Sequence, residues 1–180
     1  MSSILKVDTI NENSSGGGVT IDGLKIKDVT SGSTMSKPML QIVTGTTTTD
    51  TGATATTDYT DTGLSASITP TSTSSKVLVI ITQTLQMQRD GDNDMTGYIN
   101  IMRDTTEVTE YYFAHDEVSG DYGPAVRTLT YLDSPSTTSA TTYKTQMKGS
   151  TTSNSGSVRA NQQSASGESI SSIQLIEIAG

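Results

Sequence analysis

The sequence predicts an all-β fold, a β-sandwich or barrel preceded by a short β-arm. Three observations carry this. Apolar and polar residues alternate with period 2 in many short segments, the signature of strands with one face turned inward. Clusters of Gly, Asp, Asn, Ser and Pro separate these segments at the spacing of strand-turn-strand units. The polar excess is largely Thr, with 33 Thr and 25 Ser among 180 residues, and the β-branched Thr side chain packs well on a pleated surface. No stretch of ten or more residues shows a helical period with caps.

Taken in order, Ile4 to Ile10 is one short apolar-polar segment, followed by the turn-forming run Asn11 to Gly18. Val19 to Asp22 and Leu24 to Val29 read as two short strands meeting at Gly23, and Thr30 to Lys37 is polar up to Pro38. These pieces are too thinly apolar to bury a core, so residues 1–36 are expected to be an arm and residues 37–180 a separate domain. Thr44 to Thr60 reads as a Thr-rich loop. Leu64, Ala66 and Ile68 alternate with polar residues. Lys76 to Met87 is the longest strand candidate, and its start, Val77 to Ile81, is apolar on both faces, as a strand in the middle of a sandwich should be. Further strands are expected at Gly97 to Arg103, Val126 to Leu132, Ser139 to Lys148 and Ser171 to Ile178. Turns are expected at Asp90 to Asn93, Ser119 to Pro124, Asp133 to Pro135 and Gly149 to Ser157.

Composition removes several classes. There is no Cys and no Trp, and the formal net charge is −8. Without Cys there is neither a disulfide framework nor a thiolate metal site. The acid excess, with Arg89, Arg103, Arg127 and Arg159 dispersed, argues against a nucleic-acid partner. The longest apolar run, Val77 to Ile81, is far short of a membrane span, so no membrane insertion is expected. The N-terminus lacks the basic start and apolar core of a signal peptide. With only 32% hydrophobic residues, the chain is short of core for a monomer, and oligomerisation completes such cores.

Three stretches together carry a resemblance. Ser3 to Ile10 (SILKVDTI), Asp61 to Pro70 with Ser74 to Val79 (DTGLSASITP and SSKVLV), and Ser172 to Gly180 (SIQLIEIAG) resemble fibre and decoration virion proteins of tailed bacteriophages, of the marine and cyanobacterial kind. They span the chain end to end and cover 33 of its 180 residues. The resemblance implies a homotrimeric structural virion protein whose C-terminal domain is a jelly roll like that of tumour necrosis factor. It also implies that the arm attaches the protein to another virion protein, of tail or capsid. The expected location is the exposed surface of the phage particle, as a tail fibre or spike for host attachment or as a capsid decoration or head fibre. A trimer suits the residues too, because symmetric assembly covers sheet edges. The faces of Val77 to Ile81 or Ile173 to Ile178 are expected at its axis, and Ile4, Leu5, Val7 and Ile10 at the attachment site.

Candidate sites are few, and no enzyme is expected. Asp90, Asp92 and Asp94 alternate in a Gly- and Asn-containing loop, which reads first as a solvated hairpin tip. If it holds an ion, that ion is Ca²⁺, although Met95 and Ile101 stand where the helix-loop-helix motif wants Gly and Glu. No other cofactor is expected. His115, the single His, has no Gly-x-Ser-x-Gly elbow with it. Gly16 to Gly18 lacks the Lys-Ser/Thr of a phosphate loop and reads as a hinge. Tyr111 and Tyr112, with Tyr122, are the ligand candidates, because Tyr stacks on sugar rings and hydrogen-bonds through its hydroxyl. A host-surface glycan is the ligand class. The opposing reading is that these aromatics pack a core or subunit contact. The rival function classes are a small glycan-depolymerising enzyme, which would need a paired-carboxylate cleft, and a cellular lectin-like adhesin.

Overall fold

The computed structural model describes residues 19–21, 24–26, 39–52, 57–88, 95–116, 121–150, 156–162 and 169–180. Every regular element among them is a β-strand. The chain divides into two units, Met1–Pro38 and Met39–Gly180. The first contains an antiparallel hairpin of β1 (Val19–Ile21) and β2 (Leu24–Ile26), with Val19 opposite Ile26 and Ile21 opposite Leu24.

The second unit is a two-sheet β-sandwich. Its strands are β3 (Met39–Thr47), β4 (Thr60–Ile68), β5 (Lys76–Gln88), β6 (Met95–Arg103), β7 (Thr106–Asp116), β8 (Asp121–Asp133), β9 (Thr141–Gly149), β10 (Ser157–Ala160) and β11 (Ser171–Ile178). In sheet I, β11 lies between β3 and β5, and β8 pairs with the other edge of β5. The long β5 outreaches β11, and β10 pairs with its far end, Ala160 opposite Leu85 and Val158 opposite Met87. Sheet II runs β4-β9-β6-β7. All pairings are antiparallel. Most connections cross from one sheet to the other. The exceptions are the β6–β7 hairpin in sheet II and the step from β10 to β11 in sheet I.

The period-2 pattern decides what lies between the sheets. Val77, Val79 and Ile81 of β5 and Ile173 and Leu175 of β11 meet Leu64, Ile68, Ile101 and Tyr143 from sheet II in one buried cluster. A second cluster holds Leu85, Met87, Met95, Ile99, Phe113, Met147 and Val158. Tyr111 and Leu129 pack against both. Between them, Thr62, Gln83 and Thr145 form a buried polar step. The Thr62 and Thr145 hydroxyls are 2.5 Å apart, and the Thr145 hydroxyl donates to Gln83 Oε1 at 2.9 Å. Buried hydroxyls demand partners, and here they find them across three strands. Gly45 marks the closest approach of β3 to β4: a Cβ there would lie 2.1 Å from the Ser65 carbonyl oxygen.

Several expectations change here. Val77, Val79, Ile81, Ile173 and Leu175 fill the interior of one chain, so only the alternate residues of those strands are left to face a neighbour. Thr44–Thr47, expected in a loop, belong to β3, where they pair with β11. The β-branched side chains of Thr44, Thr46 and Thr47 suit an edge strand as well as a loop. The Tyr111 region is the strand β7, and β8 begins at Asp121, inside the expected turn.

Candidate functional site

Two outer faces remain once the interior is filled. On sheet I the outward residues of four adjacent strands stand side by side. Ile42 of β3 is opposite Ile176 of β11, which is opposite Leu78 of β5, which is opposite Leu132 of β8. This row is apolar from edge to edge. Ile42 is 55% and Leu132 49% exposed, and Leu78 and Ile176 are half-buried. Met39 and Leu40, exposed at the start of β3, and the half-buried Ile178 extend the row toward one end. The next row, Thr44, Gln174, Ile80 and Thr130, is mostly polar. The apolar band is therefore narrow and continuous. Large contiguous apolar patches on folded domains often serve as interaction sites.

The outer face of sheet II has the opposite character. Tyr112 of β7 stands opposite Tyr98 of β6, which stands opposite Lys148 of β9. The neighbouring row is Glu110, Asn100, Gln146 and Asp61. Tyr59, just before β4, reaches this surface: its hydroxyl donates to Glu110. The Lys148 ammonium lies 4.3 Å from the Tyr59 ring centroid and 5.2 Å from that of Tyr98, and 3.3 Å from Glu110 Oε2. Lys148 is thus held between two aromatic faces and a carboxylate.

Both lysines of this face are paired with carboxylates. Lys144 Nζ donates to Asp61 at 2.9 Å, and Gln146 Nε2 donates to the other oxygen at 2.7 Å. Burial works against the charge of Asp61, but these donors hold its carboxyl below the usual range. The Tyr59 hydroxyl, and then Lys148, hold Glu110 below its usual range against a weaker effect of burial. Burial and the bond to Glu110 push the Tyr59 hydroxyl far up, so it stays neutral. Asn100 Nδ2 donates to Glu107 at 2.8 Å. At the end of the face the His115 Nδ1 and Thr96 Oγ1 are 2.7 Å apart.

Tyr111 and Tyr112, adjacent in sequence, point to opposite sides of sheet II. Tyr111 packs inward and donates its hydroxyl to the Thr130 carbonyl at 3.0 Å. Tyr112 is 73% exposed. Tyr122 lies on the backbone of β8, opposite Met87, and its side chain is outside the described residues. So are Asp90, Asp92 and Asp94, and Ile4, Leu5, Val7 and Ile10. Among the described residues no group of three or more His, Asp or Glu is placed to hold a metal ion. Tyr59, Tyr98, Lys148 and Glu110 escaped the sequence reading. Only the strand register brings residues so far apart in sequence together, although the outward parity of Tyr98 was visible in its alternation with Ile99 and Ile101.

No known family model matches this sequence, and no curated protein matches it significantly.

Proposed function

We propose that the protein is a structural component of a tailed-phage virion: a homotrimeric fibre or decoration protein with an exposed jelly-roll domain. The observation that carries the oligomeric part is the apolar row Ile42–Ile176–Leu78–Leu132 on the outer face of sheet I. Burying it against other copies removes apolar surface from water, worth about 25 cal/mol per Å². A second copy is the natural occupant, because closed symmetry covers the same patch on every chain. The strand order β3-β11-β5-β8 facing β4-β9-β6-β7, with repeated crossings between sheets, supports the jelly-roll reading. The resemblance of the three sequence stretches supports the virion assignment.

In this reading the N-terminal segment joins the protein to a neighbouring tail or capsid protein, and the sandwich faces outward. Its role is to bind and assemble. Light scattering tests the assembly: the expected mass is three times the 18.9 kDa chain, and a single-chain mass at micromolar concentration refutes it. Immunogold labelling of virions with antibody to the sandwich tests the place. Signal over the whole head assigns decoration, signal at the tail assigns a fibre, and none on either removes the virion role.

A further inference from the structure

We propose that the outer face of sheet II around Tyr112 is a saccharide-binding platform that takes a neutral polysaccharide. This deepens the reading of an outward-facing virion domain by giving it a ligand class and a site.

Tyr112 presents a ring 73% exposed on a paired strand, not on a loop tip. Such exposure leaves an aromatic face in water that a sugar's C–H face can cover. Its cross-strand partner Tyr98 belongs to the same face, and Lys148 ties Tyr98 to Tyr59. Glu110, two residues from Tyr112 and on the same side of β7, is held by Tyr59 and Lys148 and keeps acceptor capacity for a hydroxyl. An aromatic surface beside an oriented carboxylate is the chemistry that recognises a sugar ring.

The ligand carries no negative charge because both lysines of this face are already held by carboxylates. Lys148 pairs with Glu110 and Lys144 with Asp61. An incoming polyanion also meets a chain of net charge −8. A protein partner fits less well, since stable protein interfaces bury about 1,600 Å² around a hydrophobic centre, and this face offers one well-exposed ring in polar surroundings. The continuous apolar band lies on the outer face of the other sheet. A single ring stacking on a sugar binds weakly, and three copies on one particle component compensate through avidity.

Native affinity electrophoresis tests this with laminarin, mannan, dextran and hydroxyethylcellulose cast separately in gels, and alginate as the anionic comparison. At least one neutral polymer should retard the protein, and alginate should not. Tyr112→Ala should weaken retardation tenfold or more, with an unchanged circular dichroism spectrum and thermal midpoint. Tyr112→Phe should retain it. The proposal is overturned if no neutral polymer retards the wild type, if alginate retards it equally, if Tyr112→Ala is retarded as strongly, or if Tyr112→Phe loses retardation. Light scattering on the same samples keeps this result apart from the trimer. A monomer that is still retarded through Tyr112 preserves the platform and removes the trimer, and an unretarded trimer does the reverse.

Discussion

Glu177 is a carboxylate with no solvent exposure, near the end of β11. Gln41 Nε2 on β3 donates to it at 2.6 Å, and the backbone N–H and hydroxyl of Thr71 donate at 2.7 and 2.8 Å. Burial alone would raise its pKa, but the donors Gln41 and Thr71, with the Ser75 hydroxyl close by, bring it down to about 2. The folded value lies below the ordinary glutamate value of 4.5. Its contribution is therefore complete above about pH 4.5 and is lost as pH falls toward 2. Thermal melts across this window should show the wild-type midpoint falling more steeply than that of Glu177→Gln. Parallel slopes would deny Glu177 this role. Asp133 anchors the same end of the sandwich in another way. It accepts from Arg103 Nη1 at 2.9 and 2.8 Å and from the buried Tyr143 hydroxyl at 2.6 Å. Asp133→Ala leaves a buried hydroxyl and a partly buried cation without their acceptor. Urea unfolding should register a loss of about 2–3 kcal/mol, at the lower end for a broken buried pair because the guanidinium is partly solvated.

At the scale of the element, β5 carries the most information. Its odd residues, Gln83 apart, enter the two interior clusters, while Leu78 enters the outer apolar row. Replacing Ile42 and Leu132 together by Asp should therefore leave the interior intact and place like charges at both ends of that row. The expected outcome is a folded protein with native-like circular dichroism whose light-scattering mass drops from that of the proposed trimer to the single chain. A double variant that remains trimeric would move the subunit contact elsewhere. Strands were legible in the sequence where at least one face was clearly apolar, as in Lys76 to Met87 and Ser171 to Ile178. β3 was not, because Thr44–Thr47 look the same in a loop and on an edge. β7 was not either, because two bulges, near Gly97/Tyr98 and Ile101/Met102 in its pairing with β6, interrupt its alternation. The four-residue β10 is too short for a period to show.

For the whole molecule, the decisive test of organisation is removal of residues 1–36. The remaining chain contains both sheets and both interior clusters, so it should unfold cooperatively near the full-length midpoint and keep its oligomeric mass. In the proposed role it should fail to join virions in a complementation assay. Loss of folding would show that the sandwich needs the N-terminal segment, and continued incorporation would remove attachment from that segment's role.

The all-β class, most strand positions and the two-faced alternation of the clearly patterned strands followed from the sequence alone, because the alternation of side chains is a local property of an extended backbone. Tertiary structure decided which strands share a sheet, which face of Val77 to Ile81 is the interior one, and that Tyr111 and Tyr112 serve opposite faces. It also joined Tyr59, Tyr98, Glu110 and Lys148 into one surface. Those outcomes rest on hydrogen bonds and side-chain packing between segments far apart along the chain. A period of two residues names two faces of a strand, but only its neighbours determine which face meets water.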